Sequence, residues 1–419
     1  MRAAAFDFDP GLPGLPLAFD AGAVARLLAP PGGDVGHLRR QDTKYQPGVR
    51  CVVTYEAELI GPGGERRRTI AVVTATPQGL GRRFMEEDGR LAGLAEALDT
   101  ARMAARLATA LGPVAVEVCS ATPVRYKPGD RCVIRYELRT ADGPRLLFGK
   151  LLADGWSAKL ALLDALAAAG RADAAVPRTL PVVAHLPDLG LLLQPAVERA
   201  VELNRAGFDP AVPAATRAAW LRAAGRHLAG LQGCTLPGAP QRSLAADLDE
   251  LTSYLAPMGQ ADPPLTRRYR TVLNQLERRV RAAPPPPAVA SHGAFRTDQF
   301  LLSSGDGDSG GALVMIDLDG ACCAEPGRDL GNFLAYLDWK VIRRPSLSAV
   351  VAAANGAVLS GYAAERPLPA PQRLALCRAA SLLKIAGRRY RSLTTDEWHL
   401  VPALVGQAAT LLDGDCAAP

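Results

Sequence analysis

The sequence predicts an α+β protein: antiparallel β-sheet units in the first half and a mostly helical second half. Three observations predict it. Tyr45-Gln-Pro-Gly-Val-Arg-Cys-Val-Val-Thr-Tyr-Glu56 recurs 81 residues later as Tyr126-Lys-Pro-Gly-Asp-Arg-Cys-Val-Ile-Arg-Tyr-Glu137, with eight of twelve positions identical. From Thr216 onward, Ala and Leu recur at helical spacing. Between those helices, the stretch Ser291–Ala335 breaks into short apolar strands and turns.

Taken in order, residues 1–38 are polar and punctuated by Pro, with one helix over 21–28. Each copy of the repeat reads as a β-hairpin. Pro presets φ at the second turn position and Gly takes the positive φ at the third. The residues after the turn alternate with period two, as a strand does. A third strand follows each hairpin, at 69–74 and at 146–152. An amphipathic helix over 90–111 would link the two copies, and a helix over 157–169 follows the second. Leu191–Glu198 reads as a further strand. A Pro-containing boundary at 208–216 precedes helices at 216–231, 244–255 and 265–281, with His227 a packing residue on the first. Pro284–Pro287 is a stiff connector. Helices at 346–362, 371–390 and 397–412 close the chain.

The chemistry-bearing residues lie in Ser291–Ala335. His292-Gly293 precedes Ala294, and Gln299 follows five residues after Ala294. Two short strands flank a Gly305–Gly311 turn, Asp317 closes the second strand, and Asp329 opens an apolar helical run twelve residues on. Phosphoryl transfer needs metal on the phosphates, a cation on the non-transferred phosphates and a group that orients the attacking hydroxyl. In this order of elements the chain resembles the aminoglycoside phosphotransferase and choline kinase group of the protein-kinase-like superfamily. The matching residues are His292, Gly293, Ile316, Asp317, Asp329 and Leu330.

The resemblance implies a bilobal protein-kinase-like fold with an antiparallel N-lobe sheet and a mostly helical C-lobe. It makes 113–200 the nucleotide-covering N-lobe and 201–419 the C-lobe carrying the catalytic loop and acceptor site. Residues 1–112 become an N-terminal α+β domain, a degenerate copy of the N-lobe. The resemblance also implies ATP and magnesium as cofactors, with Lys150 on the α/β-phosphates and Gln299 and Asp317 as metal ligands. Asp319 could assist a second metal. Arg131 on the Pro-Gly turn could contact phosphate, and Gln194 and Ala196 would meet an adenine edge through their backbone groups. His292 would tie the loop through hydrogen bonds, and Asp329 would brace its backbone amides.

Two residues depart from the family pattern. Ala294 stands where the orienting carboxylate belongs, and a methyl group can neither accept a proton nor orient a hydroxyl. Asp298 is a nearby carboxylate but precedes the metal ligand and should point away from the acceptor. The helix after Lys150 lacks the Glu that pairs with that lysine in the family; Asp164 is the only acid there. Two readings follow. One is an ATP-dependent phosphotransferase acting on a hydroxyl of a small molecule or peptide, with Ala294 either native or an inactivating replacement. The other is a pseudokinase that binds nucleotide or scaffolds a protein partner.

Composition narrows the classes further. With 419 residues the chain has room for two or three packed domains. The eight cysteines include no CxxC pair, which argues against a zinc site and a disulfide framework. No 18-residue apolar run suggests a membrane span, and Met1–Asp7 turns acidic too early for a secretory leader. A cytoplasmic location is expected. The net charge is +6, but no basic run interleaved with aromatics suggests nucleic-acid binding. Lys340, Arg343, Arg344, Arg373, Arg378, Lys384, Arg388, Arg389 and Arg391 follow Asp329. They disfavour a polycationic aminoglycoside and favour an anionic or neutral acceptor. Residues 1–112 could recruit a protein partner or a second copy of the chain.

Overall fold

The computed structural model describes residues 6–112, 115–197, 199–303 and 312–414. The expected Gly305–Gly311 turn, Met1 to Ala5 and Glu198 lie outside the described residues. The chain opens with α1 (Ala21–Leu28), whose first turn is capped by the Asp20 carboxylate accepting from Ala23 N at 2.7 Å. A four-stranded antiparallel sheet follows: β1 (Asp34–Gln46), β2 (Arg50–Ile60), β3 (Arg66–Thr76) and β4 (Gly79–Phe84), in that spatial order.

A second unit begins with α2 (Leu94–Leu98) and α3 (Thr100–Ala110) and continues through β5 (Val116–Lys127), β6 (Arg131–Thr140) and β7 (Gly143–Leu152). Next come α4 (Trp156–Ala172), β8 (Arg178–Thr179), β9 (Ala184–Leu186) and β10 (Leu191–Pro195). The second sheet runs β5-β6-β7-β10-β9, so β7 is an interior strand.

The two sheets repeat one set of hydrogen bonds. Tyr45 Oη and Gly48 N both donate to Asp9 Oδ2, at 2.7 and 2.9 Å. Tyr126 Oη and Gly129 N both donate to Asp88 Oδ2, at 2.6 and 2.7 Å. Tyr55 Oη donates to Ala18 O, and Tyr136 Oη to Ala97 O. Gly48 and Gly129 both take positive φ, as the Pro-Gly turns require. The Asp that receives each turn lies upstream of its hairpin, so residues 88–111 serve the second sheet. Leu91, Leu94, Met103 and Leu107 are buried in one core with Val118, Tyr126 and Ile134. The helix expected over 90–111 as a link is therefore two helices, α2 and α3, broken where Asp99 caps the second.

The second half contains β11 (Val201–Glu202), α5 (Leu203–Ala206), α6 (Ala214–Leu231), α7 (Leu244–Ser253), α8 (Leu255–Ala261) and α9 (Pro263–Ala282). Then come β12 (Val289–Ser291), β13 (Phe300–Ser303), β14 (Ala312–Met315), β15 (Cys322–Ala324) and α10 (Gly327–Arg343). The chain closes with α11 (Ser348–Ala363), α12 (Pro371–Arg391) and α13 (Val401–Asp413). A small sheet, β11-β13-β14-β8, joins this half to the segment after α4 through the parallel β14–β8 pair.

Pro345–Ala363 is apolar and long enough to cross a membrane by length and composition alone. That corrects the expectation of no such run. Its packing explains the composition: a Cβ on Gly361 would lie 1.9 Å from Arg222 O, and one on Gly225 would lie 2.1 Å from Val358 O. Small residues bring α11 and α6 into backbone contact within the core.

Candidate active site

The loop after β12 is held by one carboxylate. Asp329, buried at the start of α10, accepts from His292 N at 2.6 Å and from Gly293 N at 3.0 Å. Such charge-assisted bonds to backbone amides are among the stronger ones. The His292 ring is buried, with Nε2 3.0 Å from Ile316 O, which ties the loop to the end of β14. Gly293 has φ +78°, and a Cβ there would lie 1.9 Å from Gly320 O. Only glycine fits at that crossing. These contacts place Ala294 on the wall of a cavity of about 50 Å³, shared with Arg296, Arg328, Tyr336, Lys384 and Arg388. Asn332 Nδ2 fixes the next turn by donating to Phe295 O.

Asp298 does not line that cavity. Its Oδ1 lies 3.0 Å from Arg296 Nε and accepts from Gln299 Nε2 at 3.3 Å, so it is engaged locally. Gln299 is buried, and its Oε1 has no hydrogen-bond donor among the described residues. A buried orphan acceptor is costly unless a ligand satisfies it. Asp317 follows β14 in the left-handed region (φ +57°), which turns its half-exposed carboxylate toward a second cavity.

That second cavity, also about 50 Å³, lies between β7, α4, β10 and the end of β14, with Lys150, Lys159, Leu192, Gln194, Asp317 and Asp319 on its walls. Lys150 Nζ donates to Asp319 Oδ1 at 2.6 Å and lies 3.9 Å from Asp317 Oδ1. Arg131 Nη2, from the Pro-Gly turn, is 3.1 Å from Asp319 Oδ2. Lys159 Nζ lies 3.9 Å from Asp319 Oδ1 and donates to Leu318 O at 2.7 Å. Burial pushes the Asp319 carboxyl up, but Lys150 and Arg131 outweigh it and hold it at about 2. Burial pushes the Lys159 ammonium down, with Asp319 opposing.

Three expectations need correction here. Asp164 does not serve Lys150: it is on the exposed side of α4, whose buried side carries Leu162, Leu163 and Leu166. The inward polar residue of α4 is Lys159, a charge opposite to the expected Glu, so the carboxylate for Lys150 comes from Asp319. Ala196 does not offer its N–H to an adenine edge, because it already donates to Leu146 O at 3.0 Å. Gln194 does face the cavity, and its Nε2 donates to Leu180 O at 2.7 Å. The basic segment after Asp329 is mostly spent elsewhere. Arg373 pairs with Glu325, Arg378 with Asp338, and Arg343 and Arg389 with Glu397. Only Lys384 and Arg388 of that group reach the cavity beside Ala294.

Sequence reasoning missed Lys159, Arg296 and the buried Arg328–Asp247 pair. Lys159 had a legible signal: it precedes Leu162, Leu163 and Leu166 by three, four and seven residues, which puts it on the same helix face. Asp247 and Arg328 are 81 residues apart, and only the fold brings them to 2.8 Å.

Residues 151–368, about half of the chain, match the phosphotransferase enzyme family. The chain belongs to that family. Among solved structures, this phosphotransferase-family chain is similar to a candidate aminoglycoside phosphotransferase from Ralstonia eutropha. The identity is 14%, the TM-score 0.53, and the match covers 77% of this chain and all (100%) of that one. It is also similar to an amicoumacin kinase in complex with AMP-PNP, Ca2+ and Ami, at 13% identity and TM-score 0.51, covering 77% and 96% of the two chains. A glucosamine kinase in complex with glucosamine, ADP and inorganic phosphate matches over 90% of this chain and 94% of its own, at 17% identity and TM-score 0.45. The first two likenesses show the protein-kinase-like fold. No curated protein matches the sequence.

Proposed function

We propose that the chain is an ATP-dependent, magnesium-requiring phosphotransferase with a small-molecule acceptor. The observation that carries this is the convergence of Lys150, Arg131 and Lys159 on Asp319 in the wall of the second cavity. Three cations from three elements meet at one partly buried anion, which is the charge arrangement that the phosphates of a nucleotide would satisfy. The amicoumacin kinase named above was solved in complex with AMP-PNP, which supports the same reading.

The donor set fits magnesium. That ion keeps octahedral oxygen ligands and is commonly held by one or two carboxylates plus substrate phosphates. Asp317 supplies a cleft-facing carboxylate, and the unpartnered Oε1 of Gln299 supplies a neutral oxygen. When bound, magnesium would neutralise phosphate charge. Lys150 and Arg131 would position the non-transferred phosphates, with Lys159 closing the far side. A site of about 50 Å³ is far below the roughly 300–1,000 Å³ of a ligand pocket, so nucleotide entry requires the sheet and the β14 end to part. Asp319 is the contact that must break.

Ala294 favours a second reading, a pseudokinase that binds nucleotide without transfer, with the first sheet, β1 to β4, as the surface for a protein partner or a second copy. Calorimetric titration of ATP with and without magnesium tests the first requirement of both. Steady-state ADP release then separates them: a pseudokinase holds nucleotide and releases none.

A further inference from the structure

The acceptor side of the site carries an inference that rests on the phosphotransferase reading. Ala294, Arg296, Arg328, Lys384 and Arg388 share one cavity, and among the described residues the only carboxylate on its wall is Asp247. Asp247 is already held by Arg328, whose Nε and Nη2 donate to it at 2.8 and 3.1 Å. Behind the wall, one carboxylate serves three cations. Glu250 Oε2 accepts from Lys384 Nζ at 2.6 Å and from Arg242 Nη2 at 3.0 Å, and Glu250 Oε1 lies 3.6 Å from Arg388 Nη2. Arg388 Nε is buried with no acceptor among the described residues. Asp298 pairs with Arg296, and Asp329 is turned to the loop amides. The wall therefore keeps a surplus of positive charge and an unused donor.

A hydroxyl acceptor needs a group that takes or orients its proton, and position 294 supplies none. An ionised carboxylate needs no such group. We propose that the acceptor is a small carboxylate whose own ionised oxygen is the nucleophile, held by Lys384 and Arg388 beside Ala294. A carboxylate oxygen forms the bond to the γ-phosphorus of ATP, and the bond from that phosphorus to the β,γ-bridging oxygen breaks. The electron pair leaves with ADP, and the product is an acyl phosphate. No proton is removed from the nucleophile, so the missing base is consistent with turnover. The cations replace it as orienting groups, and the cavity admits a group of carboxylate size.

The test uses the full chain saturated with magnesium and AMP-PNP, titrated with acetate, malonate and citrate against malonamide. The expected result is binding of at least one carboxylate and none of malonamide. Lys384→Met should weaken the carboxylate at least tenfold, and Lys384→Arg should restore it. With ATP and hydroxylamine present, the bound carboxylate should yield ADP and a trapped hydroxamate in equal amounts. Equal binding of malonamide, failure of all three carboxylates, or ADP release without hydroxamate would overturn the proposal. A chain that binds no AMP-PNP would instead defeat the phosphotransferase reading. The carboxylate titration of the nucleotide-free chain still decides whether the cationic wall is an anion site.

Discussion

Lys150 Nζ and Asp319 Oδ1 lie 2.6 Å apart and join the second sheet to the turn after β14. In this arrangement the lysine assigned to phosphate is occupied by an internal anion. A nucleotide must displace Asp319 before it can use Lys150.

Asp319→Asn should therefore strengthen magnesium-free ATP binding by several-fold, because the amide competes less well for Lys150, Arg131 and Lys159. Isothermal titration checks it. Weaker binding that appears only with magnesium present would reassign Asp319 as a metal ligand.

The same carboxylate gives a pH dependence. The Asp319 carboxyl is held at about 2, below its ordinary 3.8, so its contribution to stability is complete above pH 3.8 and is lost as pH falls through about 2. Acid unfolding of Asp319→Asn, followed by circular dichroism, should show a shallower loss across that window than the natural chain.

Asp329→Ala removes the acceptor for His292 N and Gly293 N together. One buried donor left without a partner costs about 1–3 kcal/mol, and the part-buried Gly293 N adds less, so a loss of roughly 1–3 kcal/mol or somewhat more is expected in urea unfolding. Gly293→Ala should destabilise as well, because its Cβ would meet Gly320 O at 1.9 Å and its φ is positive.

Ala294→Asp would set a carboxylate in the cavity with Lys384 and Arg388. It should permit transfer to hydroxyl acceptors, with a gain of roughly 10²–10⁴-fold as expected for a positioned general base. It should also weaken carboxylate binding. ADP release measured against matched hydroxyl and carboxylate panels reads both changes.

Much of this was legible in the residues. The Pro-Gly hairpins announced their turns because Gly48 and Gly129 need positive φ. The loop motif was legible because His292, Gly293, Asp317 and Asp329 are close in sequence, so local spacing determines their geometry. The partner of Lys150 was not legible. Asp319 lies 169 residues away, and the family pattern pointed to the helix after Lys150 instead. Nor was the cost of Ala196's N–H, which depends on strand register with Leu146. The acceptor wall was half legible. Lys384 and Arg388 were two among the basic residues that follow Asp329, and which of these are held by Glu325, Asp338 and Glu397 is settled only by helix packing.

The most direct measurement is ATP titration, with and without magnesium, of the natural chain and of Lys150→Ala. The account predicts magnesium-dependent binding in the natural chain and at least a tenfold loss in the variant, while its unfolding temperature stays close to that of the natural chain. Absence of binding in the natural chain, or unchanged affinity in Lys150→Ala, would contradict the assignment of the cavity between β7 and β14 as the nucleotide site.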